Sequence, residues 1–161
     1  MRDQTFPEVT EAIRRTMQAN RGRDTGPELA VRSILHARGL RFRVNQPLPF
    51  DRRRRADLTF SRARLFVFVD GCFWHGCPEH GTAPKSNSAW WAAKLARNVL
   101  RDRETDEFLE ERGWAVVRVW EHDDLAEAVA RIVHAVTSTR LQAKLAATEL
   151  RATAWLVRGV F

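Results

Sequence analysis

Two near-continuous apolar runs, Leu65–Val69 and Trp114–Trp120, separated by one long helical stretch, constrain the fold more than any other feature of the chain. The first run is β-branched and aromatic and stops at Asp70-Gly71, so it reads as a buried strand. The second is interrupted only by Arg118. Between them, from about Ser88 to Arg112, the side chains of Trp91, Leu95, Asn98, Asp102 and Leu109 fall on one stripe at the helical period, and Gly113 closes the helix. Strand, helix, strand is a crossover unit, which makes the two strands parallel and puts their carboxyl ends at one edge of a sheet. Such edges are where sites gather in α/β folds, because the sheet is rigid and the loops carry the chemistry.

The rest of the chain completes an α/β fold, a mixed sheet flanked by helices. Residues 1–22 are polar and basic, with weak apolar recurrence at Val9, Ile13 and Met17, and read as a partly helical arm. Thr25-Gly-Pro-Glu28 opens a helix, with Thr25 at the N-cap, Pro27 in the first turn and Glu28 at the N3 place of a capping box. Ala30, Val31, Ile34, Leu35 and Ala37 give that helix its apolar face, and Gly39 ends it. Leu40–Val44 alternates as a half-buried strand, and Ala56–Phe60 alternates again after the Arg52–Arg55 run. Ser61–Arg64 is a turn, so the 56–60 and 65–70 strands form a hairpin. Asp123 or Asp124 caps a helix carrying Leu125, Val129, Ile132, Val133 and Val136, and Thr139–Phe161 reads as a further amphipathic helix and tail. With no repeat or linker, the expected organisation is an arm over 1–22, one main domain over 23–137, and a helix or tail of the same domain over 138–161.

The loop beyond the first apolar run concentrates chemistry. It holds both cysteines of the chain, Cys72 and Cys77, together with His75, His80 and the Phe73-Trp74 pair. His122 lies just past the second run and, under the crossover topology, meets Cys72, Cys77 and His80 at the same edge. Two sulfurs and two imidazoles suit a tetrahedral structural zinc; the bland reading is two buried thiols beside two surface histidines. His75 fits poorly as a further ligand and reads equally as a general base or as a hydrogen-bonded surface residue. Asp102, on the inward stripe of the helix, suits an imidazole partner or an ion pair with a nearby arginine. Asp57 suits a divalent cation or a pairing with one of Arg52–Arg55, and Glu28 is explained by helix capping alone. Phe73, Trp74 and Trp91 divide evenly between stacking on bases and covering the sheet.

Charge narrows the partner. The chain has 27 Lys and Arg against 20 Asp and Glu, a net charge of +7 carried mainly by arginine, densest at Arg21, Arg23 and Arg52–Arg55. That surface points to nucleic acid more than to a solvated face without a partner. The two cysteines exclude a disulfide framework. No secretory h-region or apolar run of membrane length occurs, so a soluble, intracellular, cytoplasmic protein with no membrane partner is expected.

Five segments resemble the very short patch repair endonucleases, in order from about Arg14 to Val136. They are Asn20-Arg-Gly-Arg-Asp-Thr25-Gly-Pro-Glu28-Leu, Arg54-Arg55-Ala-Asp57-Leu, Phe68-Val-Asp70-Gly-Cys-Phe-Trp-His75-Gly-Cys-Pro-Glu-His80-Gly, Lys94-Leu-Ala-Arg97-Asn98 running on to Arg101-Asp102-Arg103, and Gly113-Trp114 with Val119-Trp120-Glu121-His122. The resemblance implies a restriction-endonuclease-like (PD-(D/E)xK-type) fold with a structural zinc site. It implies a Mg²⁺-dependent, strand-specific nick in double-stranded DNA beside a T:G mismatch left by deamination of 5-methylcytosine. Asp57 and the Val69 backbone carbonyl would bind the Mg²⁺, His75 would be the general base oriented by Asp102, and Glu28 would hold water at the metal. Phe73, Trp74 and Trp91 would wedge beside the mismatch, with Met17 approaching from the other groove and Arg21 and Arg23 on the DNA. Cys72, Cys77, His80 and His122 would hold Zn²⁺, with Glu79 as the alternative to His80. The chain departs from some members at Asp70, where they carry His, and in the zinc ligands, which in some members are Cys, His, Cys and Cys. A monomer is expected, linked functionally to a DNA cytosine methyltransferase. The competing readings are a nicking or restriction enzyme that needs no mismatch, and a zinc-stabilised DNA-binding module without catalysis.

Overall fold

Four strands, β1 (Arg43–Pro47), β2 (Arg55–Phe60), β3 (Leu65–Asp70) and β4 (Ala115–Trp120), form one sheet in that order. Among the described residues three helices, α1 (Gly26–Ala37), α2 (Ser88–Glu111) and α3 (Leu125–Arg158), accompany it. This computed structural model describes residues 22–82 and 87–158; Met17 and Arg21 lie outside them. The crossover places β4 parallel to β3, in register from Leu65 opposite Ala115 to Asp70 opposite Trp120. β2 pairs antiparallel with β3 through the short turn Ser61–Ala63, and β1 pairs antiparallel with β2 at the edge.

β3, in the interior of the sheet, is buried on both faces, which is why it needs no polar side chain before Asp70. On one face Leu58, Leu65, Val67 and Val119 pack with Val31 and Leu35 of α1 and Val129, Ile132 and Val136 of α3. Each such side chain contributes about 1.5–3 kcal/mol on burial. On the other face Phe66 and Phe68 pack with Leu48 and Leu109, the latter from α2. α2 is seated more thinly: of its 24 residues only Trp91, Thr105 and Leu109 are buried. Its middle meets the sheet through polar contacts instead. Arg54 reaches the Thr105 hydroxyl at 2.7 Å and the Arg101 carbonyl at 3.1 Å.

Three local expectations need correction. The first strand begins at Arg43, not Leu40, and runs to Pro47. Leu40 and Phe42 pack on the core as part of the connection from α1, and Pro47 is tolerated because β1 is an edge strand. The separate helix over 139–161 is instead the continuation of α3. No Gly or Pro interrupts that stretch, and the hydroxyls of Thr137 and Thr139 donate back to the carbonyls of Val133 and Ala135, both at 2.9 Å. The capping box is also wired differently, since the Thr25 side chain caps no backbone N–H and its hydroxyl donates to Glu28 at 3.0 Å. Asp124, rather than Asp123, caps α3 by accepting from the N–H groups of Ala126 and Glu127. Among the described residues no helix is long and apolar enough to cross a membrane.

Candidate active site and metal cluster

The carboxyl ends of β3 and β4 and the middle of α2 enclose a cleft of about 890 Å³, and Glu28, Asp57, Val69, His75 and Asp102 all line it. β3 outruns its ladder with β2, so the Val69 N–H donates instead to the Asp57 carboxylate at 2.8 Å. A strand residue points its N–H and C=O to the same side, so the Val69 carbonyl turns toward the edge that Asp57 occupies. Burial pushes the Asp57 carboxyl up to about 6, with the Val69 N–H opposing and the charges of Glu28 and Asp70 adding to the rise. Asp57 thus bonds the next strand rather than the arginine run.

Glu28 is buried at the head of α1, accepting from the Asp24 N–H at 3.0 Å and pairing with Arg32. Helix capping does not account for it, because the bonds run to Asp24, Thr25 and Arg32 rather than closing a capping box.

His75 follows β3 in a tight turn, where its N–H and that of Trp74 both donate to the Gly71 carbonyl at 3.1 Å. Its Nδ1 lies 2.6 Å from Asp102 Oδ2 and 3.5 Å from Asp70 Oδ1. Burial opposes the imidazolium, but the hydrogen bond to Asp102 and the charges of Asp70 and Asp102 outweigh it and raise the His75 pKa. The Asp102 carboxyl is lowered: burial would raise it, but the His75 bond and charge and then Arg118 prevail. With Nδ1 engaged, Nε2 is the ring nitrogen left for chemistry.

Behind this pair stands an arrangement the sequence reading did not single out. Arg118, the lone charge in the β4 run, bonds both oxygens of Asp70 at 2.8 and 2.9 Å and both oxygens of Asp106 at 2.8 and 3.1 Å. Asp70 is 4 % exposed, and burial raises its pKa against the pull of Arg118. A single arginine inside an apolar strand run was the signal that could have found it.

The predicted four-residue cluster forms. One sulfur each from Cys72 and Cys77 and one ring nitrogen each from His80 and His122 lie within 4.8 Å of one another. Cys72 Sγ is 3.0 Å from His122 Nδ1, and both thiols are buried. Burial, then Cys77 and Glu121, push the Cys72 thiol up to about 11. His80 is in the group, whereas Glu79 lies 3.7 Å from the opposite nitrogen of His122, where it can orient that ring. Glu121 ties the two strand ends together by accepting from the Cys72 N–H at 2.7 Å.

The aromatic residues gather on the same side. Phe73 lies 4.9 Å from Trp74 and 5.2 Å from Trp91, with the Trp74 carbonyl accepting from Asn98 at 3.0 Å. Trp91 is buried and Phe73 and Trp74 are half-buried, while the neighbouring Trp90, which the sequence reading missed, is exposed. Lys94 Nζ stands 4.9–5.2 Å from the rings of Trp74, Trp90 and Trp91. Arg23 is exposed and pairs with Asp24 at 3.2 Å.

Comparison with known proteins bears on this geometry. A family model described as DNA mismatch endonuclease Vsr matches residues 8–80. The type II nicking enzyme V.NaeI of Lentzea aerocolonigenes is 46% identical over 132 residues, 80% of each chain. The chain belongs to the Vsr endonuclease family. The type II nicking enzyme V.XorIIP of Xanthomonas oryzae is 40% identical over 136 residues, 82% of this chain and 95% of that one. The DNA mismatch endonuclease Vsr of Escherichia coli is 37% identical over 112 residues, 66% of this chain and 67% of its own. The segment matching the Vsr family model carries Glu28, Asp57 and His75, while Asp102 and His122 come from beyond it on α2 and after β4.

Proposed function

We propose that this chain nicks one strand of duplex DNA beside a T:G mismatch arising from deamination of 5-methylcytosine, with His75 as general base. The observation that carries the reading is the 2.6 Å contact from His75 Nδ1 to Asp102 in a cleft that also holds Asp57. Asp102 accepts from Nδ1–H, which leaves the lone pair on Nε2 to take a proton from the attacking water, and the carboxylate then stabilises the imidazolium. Burial that disfavours the bare charge of Asp57, with Glu28 and Asp70 as like-charged neighbours, fits a divalent cation at this carboxylate. Asp57 and the Val69 carbonyl would hold Mg²⁺, and Glu28 would position water beside it. When bound, Mg²⁺ supplies positive charge to the phosphate as negative charge develops there. The donor set of Cys72, Cys77, His80 and His122 fits a structural Zn²⁺ that braces the loop carrying His75.

Phe73, Trp74 and Trp91 pack edge to face in one cluster beside the cleft, and a mismatched T:G pair opens at low cost for such rings to enter. The exposed arginines supply phosphate contacts. The DNA lesion itself implies a DNA cytosine methyltransferase as the functional partner, and the chain would act as a monomer in the cytoplasm. A second reading, nicking of fully paired duplexes, is favoured by the names of V.NaeI and V.XorIIP as type II nicking enzymes.

Cleavage of matched duplexes that differ only in a T:G or a paired base tests both, with Mg²⁺ and with His75→Ala as the paired variant. The first reading expects a nick confined to the T:G duplex, lost by about 10²-fold or more in His75→Ala while duplex binding survives. Equal nicking of the paired duplex selects the second reading. Unchanged nicking by His75→Ala refutes the base assignment.

A further inference from the structure

We propose that Asp70 and Arg118 work as one positioning unit for His75, with the guanidinium fixing the carboxylates that grip the imidazole from one side. The inference rests on His75 as the base of the proposed reaction. Its grounds are geometric. Nδ1 of His75 sits between Asp102 Oδ2 at 2.6 Å and Asp70 Oδ1 at 3.5 Å. Each of those carboxylates belongs to a different element, Asp102 to α2 and Asp70 to the end of β3. Arg118 joins the two carboxylates' elements: Nη1 bonds the two Asp70 oxygens, Nη2 approaches the Asp102 carbonyl at 3.5 Å and its Oδ1 at 3.7 Å, and Nε holds Asp106 one turn further along α2. The guanidinium carbon of Arg118 stands 4.5 Å from the ring centre of Phe68, its partner in the parallel register. The fork is therefore held from two sides, by Asp106 at Nε and by Asp70 at Nη1.

Lysine carries the same charge on a single point and cannot bond both oxygens of Asp70 and of Asp106 while reaching toward Asp102. Removing Arg118 leaves Asp70 buried without its partner, free to compete for Nδ1 and draw the ring away from Asp102. Removing both partners takes away that competition. Asp70 also explains the departure from members that carry His at this place: in this chain the position belongs to an ion pair behind the base.

The test is nicking of a T:G duplex by Asp70→Asn, Arg118→Met, Arg118→Lys and the Asp70→Asn/Arg118→Met pair, with duplex affinity and thermal melting measured on each. A positioning unit lowers kcat about tenfold or more in Arg118→Met and in Arg118→Lys, with duplex affinity unchanged. It also makes the double variant no slower than Arg118→Met, because the two residues share one role. Wild-type kcat in Arg118→Lys overturns the proposal, as does multiplication of the single effects in the double variant. Loss of duplex affinity in step with kcat overturns it too. Should Arg118→Met fail to fold, Arg118→Lys decides alone. His75→Ala keeps the foundations separate: if that variant nicks normally, the base assignment falls, whatever Arg118 does.

Discussion

Asp57→Asn should stabilise the protein while abolishing its activity. Between the ordinary carboxylate value of 3.8 and the folded value of about 6, each tenfold in proton affinity is worth about 1.4 kcal/mol. This group therefore costs the folded state about 2 kcal/mol at pH 5 and about 3 kcal/mol at pH 8. The direction follows from proton counting: between those two values the folded chain keeps a proton that the unfolded chain has released, so this group lowers stability as pH climbs through 6. An asparagine keeps an oxygen for the Val69 N–H but carries no charge, so it escapes the penalty. Urea denaturation of zinc-loaded protein without Mg²⁺, at pH 5 and pH 8, measures the difference directly. The variant should be the more stable at both values, by a margin that widens by about 1 kcal/mol toward pH 8. Mg²⁺ should then raise the midpoint of the wild type and not of the variant. A margin that does not change with pH, or a variant less stable than wild type at pH 8, refutes the reasoning.

Asp102→Asn replaces a charge-assisted hydrogen bond with a neutral one, so single-turnover nicking should fall about 10- to 100-fold while duplex affinity, read by fluorescence anisotropy, stays level. If nicking is unaffected, Asp102 does not serve His75. Cys72→Ser should reduce bound zinc, measured by atomic emission, and lower both the melting temperature and activity; full zinc occupancy in that variant removes Cys72 from the ligand set. Trp74→Ala should narrow the ratio of T:G to paired-duplex nicking more than it weakens overall binding, and an equal loss in both dismisses the wedge.

The sheet was legible in the sequence because β3 is buried on both faces and β4 lies half-buried beside it, and both leave near-continuous apolar runs. Their parallel pairing followed from the length of the helix between them, and that pairing alone brought His122 to Cys72. The cluster of Cys72, Cys77, His80 and His122 and the His75–Asp102 contact were accordingly visible as expectations in the sequence. Side-chain traffic was not. Arg118 could be seen as an oddity in an apolar strand, but its three acidic partners come from β3 and two turns of α2, which no local pattern connects. Glu28 stood at a capping position, and only its burial and its bonds to Asp24 and Arg32 separate it from an ordinary cap. The start of β1 and the unbroken course of α3 depended on ladder bonds and on threonine hydroxyls bonding backward, both invisible to apolar periodicity.

The thin seating of α2 sets the order in which the molecule loses its properties on heating. A helix of 24 residues that buries three side chains opens at lower free energy than α3, whose first turns sit in the main core. Asp102 rides on α2, so its partnership with His75 ends when that helix lifts, while the sheet behind it persists. Inactivation should precede melting, and amide exchange along 92–108 should outpace that along 128–136.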